Sequence, residues 1–257
     1  MRIWTIANQK GGVGKTTTTL ALGSRLARRG FRVLLLDLDP HASMSQALGV
    51  PAEPPPAGVL ELFDDTPRRI DELMRPSGVE GMHLVAGQAG LATLERRAGH
   101  RPGLGRALGQ ALEAVVGDHD YALLDCPPTL GLLMVNALAA ADRLVIPTQT
   151  EPLAQYGLQG MLRTAAMVAR SRGRPLPASI LPTLFDRRTR VAVETLQAMQ
   201  ERFGAQVWSD AVPVDTRLRD LQHLLGPDVP ESQARGVAAY NRALDWLLAR
   251  DHLETWQ

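Results

Sequence analysis

Short apolar runs alternate with longer amphipathic stretches along the whole chain. Residues 3–7 (IWTIA), 32–38 (RVLLLDL), 82–85 (MHLV), 121–126 (YALLDC), 144–149 (LVIPTQ), 179–185 and 207–212 read as strands. Runs this short and this apolar suit strands buried on both faces. Between them, residues 19–29, 104–116, 132–141, 153–170, 189–203 and 236–250 read as helices. In the first of these, Leu20, Leu22, Leu26 and Ala27 suit one buried face. Residues 59–74 suggest short helical pieces, 117–120 a turn, and 51–58, with four prolines, an extended surface loop. Strands alternating with helices predict an α/β fold, a doubly wound and mostly parallel sheet covered by helices on both faces. Neither a composition break nor an internal repeat divides the chain, so residues 1–257 are expected to form one domain.

The first strand runs straight into residues 8–18, NQKGGVGKTTT, and from there into the first helix. Strand, glycine loop and helix in that order is the context a phosphate-binding loop requires. Gly11, Gly12 and Gly14 let backbone N–H groups turn in around an anion, and Val13 and Thr17 complete the loop and its exit. The following helix adds its positive N-terminal end. In this pattern Lys15 reaches the β- and γ-phosphates, and the Thr16 hydroxyl ligates Mg²⁺. The general form G-x-x-x-x-G-K-[ST] fails at its first position, Gln9, and a second lysine, Lys10, stands beside it.

Composition gives both lysines weight. The chain has 28 Lys+Arg, yet Lys10 and Lys15 are its only lysines. A compact ammonium is evidently required at these two places, where arginine serves everywhere else.

KGGVGKT resembles the deviant Walker A motif of the ParA/MinD family of P-loop ATPases, and the resemblance extends from Arg2 to about Leu248. It implies ATP and Mg²⁺ as ligands, slow ATP hydrolysis, and a homodimer with ATP held between two subunits. Lys10 would be the lysine that crosses to the partner's nucleotide. Asp37-Leu38-Asp39-Pro40 resembles the family's D-x-D-P-Q segment. By that resemblance Asp39 is catalytic with Lys10 and Lys15, positioning the attacking water, and Asp37 lies near the Mg²⁺ shell. An ordinary aspartate is a weak base at neutral pH, so Asp39 is expected to orient water more than to deprotonate it. His41 stands where the family has Gln. Asp125, in YALLDCPP, resembles a Walker B aspartate that holds Mg²⁺ through water.

Two further segments carry arginines. LPTLFDRRT, residues 181–189, resembles a family segment in which an arginine contributes to binding double-stranded DNA without sequence preference. Arg188 matches it, with Arg187 and Arg190 as neighbours. VPVDTRL, residues 212–218, resembles I-P-R-N-V-R-L: Arg217 takes the second arginine, Val214 replaces the first, and Pro213 is placed on the adenine side. SQARGVAAY resembles the family's closing S-x-G-A-x-A-Y through Ser232, Arg235, Gly236 and Tyr240. Other details, DPH, FDRRT and PVDTRLRD, resemble the ParC branch, which places chemotaxis arrays at cell poles. A ParB-like protein or a polar scaffold is the stimulating partner the resemblance implies.

The remaining composition narrows the field. A formal charge of +1 gives no whole-molecule attraction to nucleic acid, so DNA binding must come from a local patch. The single cysteine excludes an internal disulfide and suits a reducing cytoplasm. It also disfavours metal-transfer relatives, which carry cysteine pairs. No run of 18 apolar residues suggests a membrane span, and with a strand expected almost at once no signal peptide is expected. MinD-type membrane binding would need a basic amphipathic C-terminal helix. Here Val237, Tyr240, Leu244, Leu247 and Leu248 form an apolar stripe, while Arg242 and Arg250 are offset by Asp245 and Asp251. That stripe is expected to pack on the core, leaving a cytoplasmic protein at the nucleoid or the pole.

Overall fold

The computed structural model describes residues 1–97, 104–227 and 232–254. In chain order, β1 (Arg2–Ile6) leads to α1 (Lys15–Arg28), β2 (Val33–Asp37) and the short α2 (Ser43–Ala47). There follow α3 (Ile70–Leu73), β3 (Met74–Pro76), β4 (Met82–Val85) and α4 (Leu91–Arg97). The centre comprises α5 (Ala107–Glu113), β5 (Tyr121–Asp125), α6 (Leu132–Ala140), β6 (Arg143–Gln149) and α7 (Ala154–Arg172). The chain closes through β7 (Ala178–Thr183), α8 (Arg190–Phe203), α9 (Leu221–Leu225) and α10 (Arg235–Glu254).

The seven strands lie in the order β3-β4-β2-β5-β1-β6-β7. All neighbours are parallel except the β3–β4 edge pair. Side chains alternate across each strand. Leu34 and Leu36 join one core layer with α5, α6 and α7, while Val33 and Leu35 join the other with α1 and α10. Period-two alternation with both sides apolar is why the strands read as unbroken hydrophobic runs. Register then fixes the chemistry: Ile6 and Asp37 both pair with Asp125, so β1, β2 and β5 end together at one rim.

The apolar stripe of α10 is buried, with Val237, Tyr240, Leu244 and Leu247 at most 2% exposed. It lies against α1, so it is core and not a membrane face. Among the described residues, no helix is long and apolar enough to cross a membrane.

Three expectations need correction. Residues 207–212 are not a strand. They touch β7 through an isolated bridge at Ile180–Val207 and backbone hydrogen bonds from Trp208 and Val212, with an excursion at Ser209 and Asp210 between. Burial of Val207, Trp208, Ala211 and Val212 mimicked a strand's hydrophobicity without its pairing. Helix α1 begins at Lys15, four residues before the expected start. The helix expected over 104–116 is a 3-10 turn at Leu104–Arg106 followed by the shorter α5.

Candidate active site

The loop after β1 turns on Gly12 (φ 74°) and Gly14 (φ 89°), conformations that side chains resist. Gly14 is also the N-cap of α1, with no side-chain cap, so the amides of the first turn are left for a ligand. A Cβ at Gly11, Gly12 or Gly14 would meet nothing within 4 Å, so the loop faces open space. Its frame is rigid. Asn8 donates from Nδ2 to Pro147 O (2.8 Å) and accepts Lys10 N–H at Oδ1 (3.0 Å). Thr183 donates to Val13 O at 2.9 Å, tying β7 to the buried Val13. The Thr18 and Tyr240 hydroxyls meet at 3.0 Å, which fixes α10 to the helix that carries Lys15, Thr16 and Thr17.

The two lysines point differently. Lys15 is buried and donates to Lys10 O at 3.3 Å; burial lowers its pKa, opposed first by Asp125. Lys10 reaches instead to Gln149 Oε1 and, at 3.0 Å, to Glu151 Oε2. Gln149 ends β6 and Glu151 lies two residues on, so Lys10 rests at the sheet rim, where Gln149 Nε2 also donates to Gly12 O of the loop at 3.5 Å.

Thr16 Oγ1 donates to Asp125 Oδ2 at 2.7 Å, and Thr19 Oγ1 to Oδ1 at 3.3 Å. Asp125 is buried, and burial followed by Asp37 pushes its pKa up to about 8. A buried acid beside a second acid and a hydroxyl is a donor set that a divalent cation relieves, so the residues present fit Mg²⁺. Asp37, also buried, is raised by burial. Its Oδ2 accepts Ser45 N–H (2.8 Å) and Oγ–H (2.7 Å), and its Oδ1 accepts Asp39 N–H (3.2 Å). Asp37 therefore braces the 37–45 turn. Gly87 is pressed against it: a Cβ there would lie 2.8 Å from Asp37 Cγ. Cys126 is buried, and burial raises its thiol well above the usual range, leaving it unreactive.

Asp39 stands at the rim, with Oδ1 accepting from His41 N–H and paired with His41 Nδ1, both at 2.9 Å. The arginines form a separate group. The Phe185–Pro213 bridge and the Val214 N–H bond to Phe185 O tie the two arginine-bearing turns together. Arg188 grips Asp186 with two bonds (2.9 and 2.8 Å), Arg190 binds Glu194 (2.6 Å), and Arg217 binds Asp215 (3.2 Å). Arg187 is exposed on the same turn. Half-buried Pro213 lies at this junction.

Sequence reasoning missed Asn8, Gln149, Glu151, Ser45 and Thr183 as site-forming residues. Gln149 and Thr183 end parallel strands, and that position alone could have flagged them.

A phosphate loop on a central parallel strand, with a threonine hydroxyl on a buried aspartate one strand away, defines a P-loop nucleotide hydrolase. Residues 1–176 match a family described as an AAA domain. The chain is 36% identical over 243 residues to the sporulation initiation inhibitor protein Soj of Bacillus subtilis (93% of this chain, 95% of Soj). It is 38% identical over 251 residues to the chromosome-partitioning ATPase Soj of Thermus thermophilus (95% and 94%). Among solved structures, cobyrinic acid a,c-diamide synthase from Mycobacterium smegmatis, with a bound ATP analogue and magnesium, superposes with a TM-score of 0.85. That match is 32% identical and covers 100% of this chain and 97% of the synthase. The chain belongs to the ParA/Soj family of P-loop ATPases. It binds ATP with Mg²⁺ and hydrolyses ATP.

Proposed function

We propose that this chain is a ParA-like partition ATPase: an ATP-dependent dimerisation switch that binds DNA without sequence preference and positions or segregates DNA or a protein cargo. The observation that carries the reading is the divergence of the two lysines. Lys15 turns in beneath its own loop, while Lys10 extends outward along the rim to Glu151. An ammonium placed outward can leave Gln149 and Glu151 to serve a nucleotide held by a second copy. Lys15 and the amides of residues 11–17 hold the phosphates, and Pro213 lies on the base side. Thr16 and Asp125 would hold Mg²⁺, with Asp37 near its shell, and the ion would neutralise charge developing on the phosphates. Asp39 orients the attacking water.

Arg187, Arg188, Arg190 and Arg217 of both subunits supply the DNA contacts. The side chains of Arg188 and Arg190 are 83% and 89% exposed, and exposed pairs are worth only about 0–1 kcal/mol, so phosphates can displace Asp186 and Glu194; Arg217 is held by Asp215, whose side chain is only 5% exposed. A ParB-like or polar-scaffold protein stimulates hydrolysis and dissolves the dimer, at the nucleoid or the pole. The sequence offers no identified arginine finger, and P-loop hydrolysis without one can be as slow as roughly 10⁻⁴ per second, suited to a timer. The test is DNA binding and oligomeric state, measured on the full chain with ATP, a non-hydrolysable analogue and ADP. Dimerisation and DNA binding that appear only with the triphosphate support the reading; equal behaviour in all three states overturns it.

A further inference from the structure

The turn that follows β2 is built to bring one side chain back onto Asp39. Residues 39–42 close through Ala42 N–H to Asp39 O at 2.8 Å, with Pro40 at the position where its fixed φ is favourable. Ala42 then takes φ 50°, a left-handed conformation that a residue with a Cβ adopts only under constraint from its surroundings. Gln46 Nε2 holds His41 O at 2.9 Å, so the backbone of the turn is fixed without help from the imidazole. The imidazole itself is 82% exposed and contributes nothing to the core.

What the imidazole does is occupy one oxygen of Asp39. His41 N–H donates to Oδ1 at 2.9 Å, and His41 Nδ1 meets the same oxygen at 2.9 Å. A carboxylate can only accept, so the ring carries its proton on Nδ1 in this contact. Asp39 N–H is in turn held by Asp37 Oδ1 at 3.2 Å, which anchors the backbone end of the same residue. With two donors on Oδ1, the carboxylate plane is set and Oδ2 is left for a ligand. An exposed contact of this kind adds little to stability. Its effect is on orientation, where a small misplacement of a catalytic group is costly.

The geometry points to His41 as a positioning residue for the hydrolytic step: its Nδ1–H locks the Asp39 carboxylate so that Oδ2 faces the attacking water. This rests on the reading of Asp39 as the residue that orients that water. The side chain needed is one with an N–H at the reach of Nδ1, which asparagine supplies through Nδ2 and alanine does not.

The experiment compares wild type, His41→Ala, His41→Asn and Asp39→Ala as full chains, measuring phosphate release against ATP concentration and nucleotide affinity by equilibrium binding. His41→Ala is expected to lower kcat about fivefold, the upper end of what an exposed contact contributes, with KM and ATP affinity within twofold of wild type. His41→Asn is expected to recover at least half of the wild-type kcat. Three results overturn the inference: kcat of His41→Ala within twofold of wild type, a change confined to KM, or His41→Asn as slow as His41→Ala. The Asp39→Ala arm tests the reading beneath it. Wild-type hydrolysis by that variant removes Asp39 from the mechanism, whereas a dead Asp39→Ala beside an unaffected His41→Ala removes only His41.

Discussion

Lys10 and Glu151, 141 residues apart in the chain, meet through Nζ and Oε2 at 3.0 Å. Their side chains are 34% and 58% exposed, and an exposed ion pair is worth about 0.2–1 kcal/mol. The contact sets where Lys10 rests without committing it to stay. Glu151→Gln should therefore lower the protein concentration at which an ATP analogue produces dimers. Lys10→Ala should still bind ATP yet remain monomeric. Light scattering with the analogue measures both, and a normal dimer from Lys10→Ala would remove the cross-subunit role.

Lys15 is the cation seated under the loop, and its burial leaves water no means of replacing it. Lys15→Ala should abolish ATP binding in a calorimetric titration while the fold, read by circular dichroism, persists. Retention of affinity within tenfold would mean that the loop amides alone hold the phosphates.

Asp39 touches the turn and not the loop, so its loss should spare binding. Asp39→Ala should retain ATP, dimerise, and show turnover reduced with a lengthened dimer lifetime. Single-turnover hydrolysis and dimer dissociation after dilution report the two effects separately.

The arginine turns joined at Phe185 and Pro213 predict the salt dependence of DNA binding. If two arginines per subunit reach phosphates, a dimer makes about four contacts, and counterion release gives a log–log salt slope of about −3.6. Arg188→Glu with Arg217→Glu should abolish DNA binding and leave ATP-driven dimerisation intact. Affinity should not vary with duplex sequence, because phosphate contacts carry no base information. Titrating labelled duplexes over a range of salt measures all three.

Arg143 and Asp251 form a buried ion pair at 2.7 Å, and Arg143 Nη1 also donates to Ser179 Oγ at 2.9 Å. Removing Asp251 takes from the buried Arg143 guanidinium the carboxylate that meets its Nε. Asp251→Ala should cost about 3–5 kcal/mol of stability in urea denaturation. Replacing both residues by apolar side chains should cost less than either single change.

What could be read from the chain, and what could not, divides along physical lines. The loop, α1 and the acids at 37, 39 and 125 are local patterns, each a few residues after an apolar run. The early start of α1 was hidden because Thr16, Thr17, Thr18 and Thr19 are poor helix formers, and it is the left-handed Gly14 that starts the helix there. Strand β3 has three residues including a proline and only an antiparallel edge partner, too little for a periodic signal. Helix α2 has five residues and is secured by Asp37, not by an amphipathic face. The Lys10–Glu151 and Thr18–Tyr240 contacts join distant segments, which periodicity does not address.

The burial of Trp4 has a practical outcome. Its indole Nε1 donates to Asp251 Oδ2 at 3.0 Å, and its ring sits edge-on to Tyr121 at 5.0 Å. The first strand thus carries a chromophore whose surroundings include a carboxylate from α10. Peeling that helix from the sheet would bring water to the indole and shift its emission to the red. Since Tyr240 on the same helix touches Thr18 beside the phosphate loop, ultraviolet fluorescence of a variant that keeps Trp4 and replaces Trp208, Trp246 and Trp256 would follow nucleotide-linked motion of α10 without any added dye.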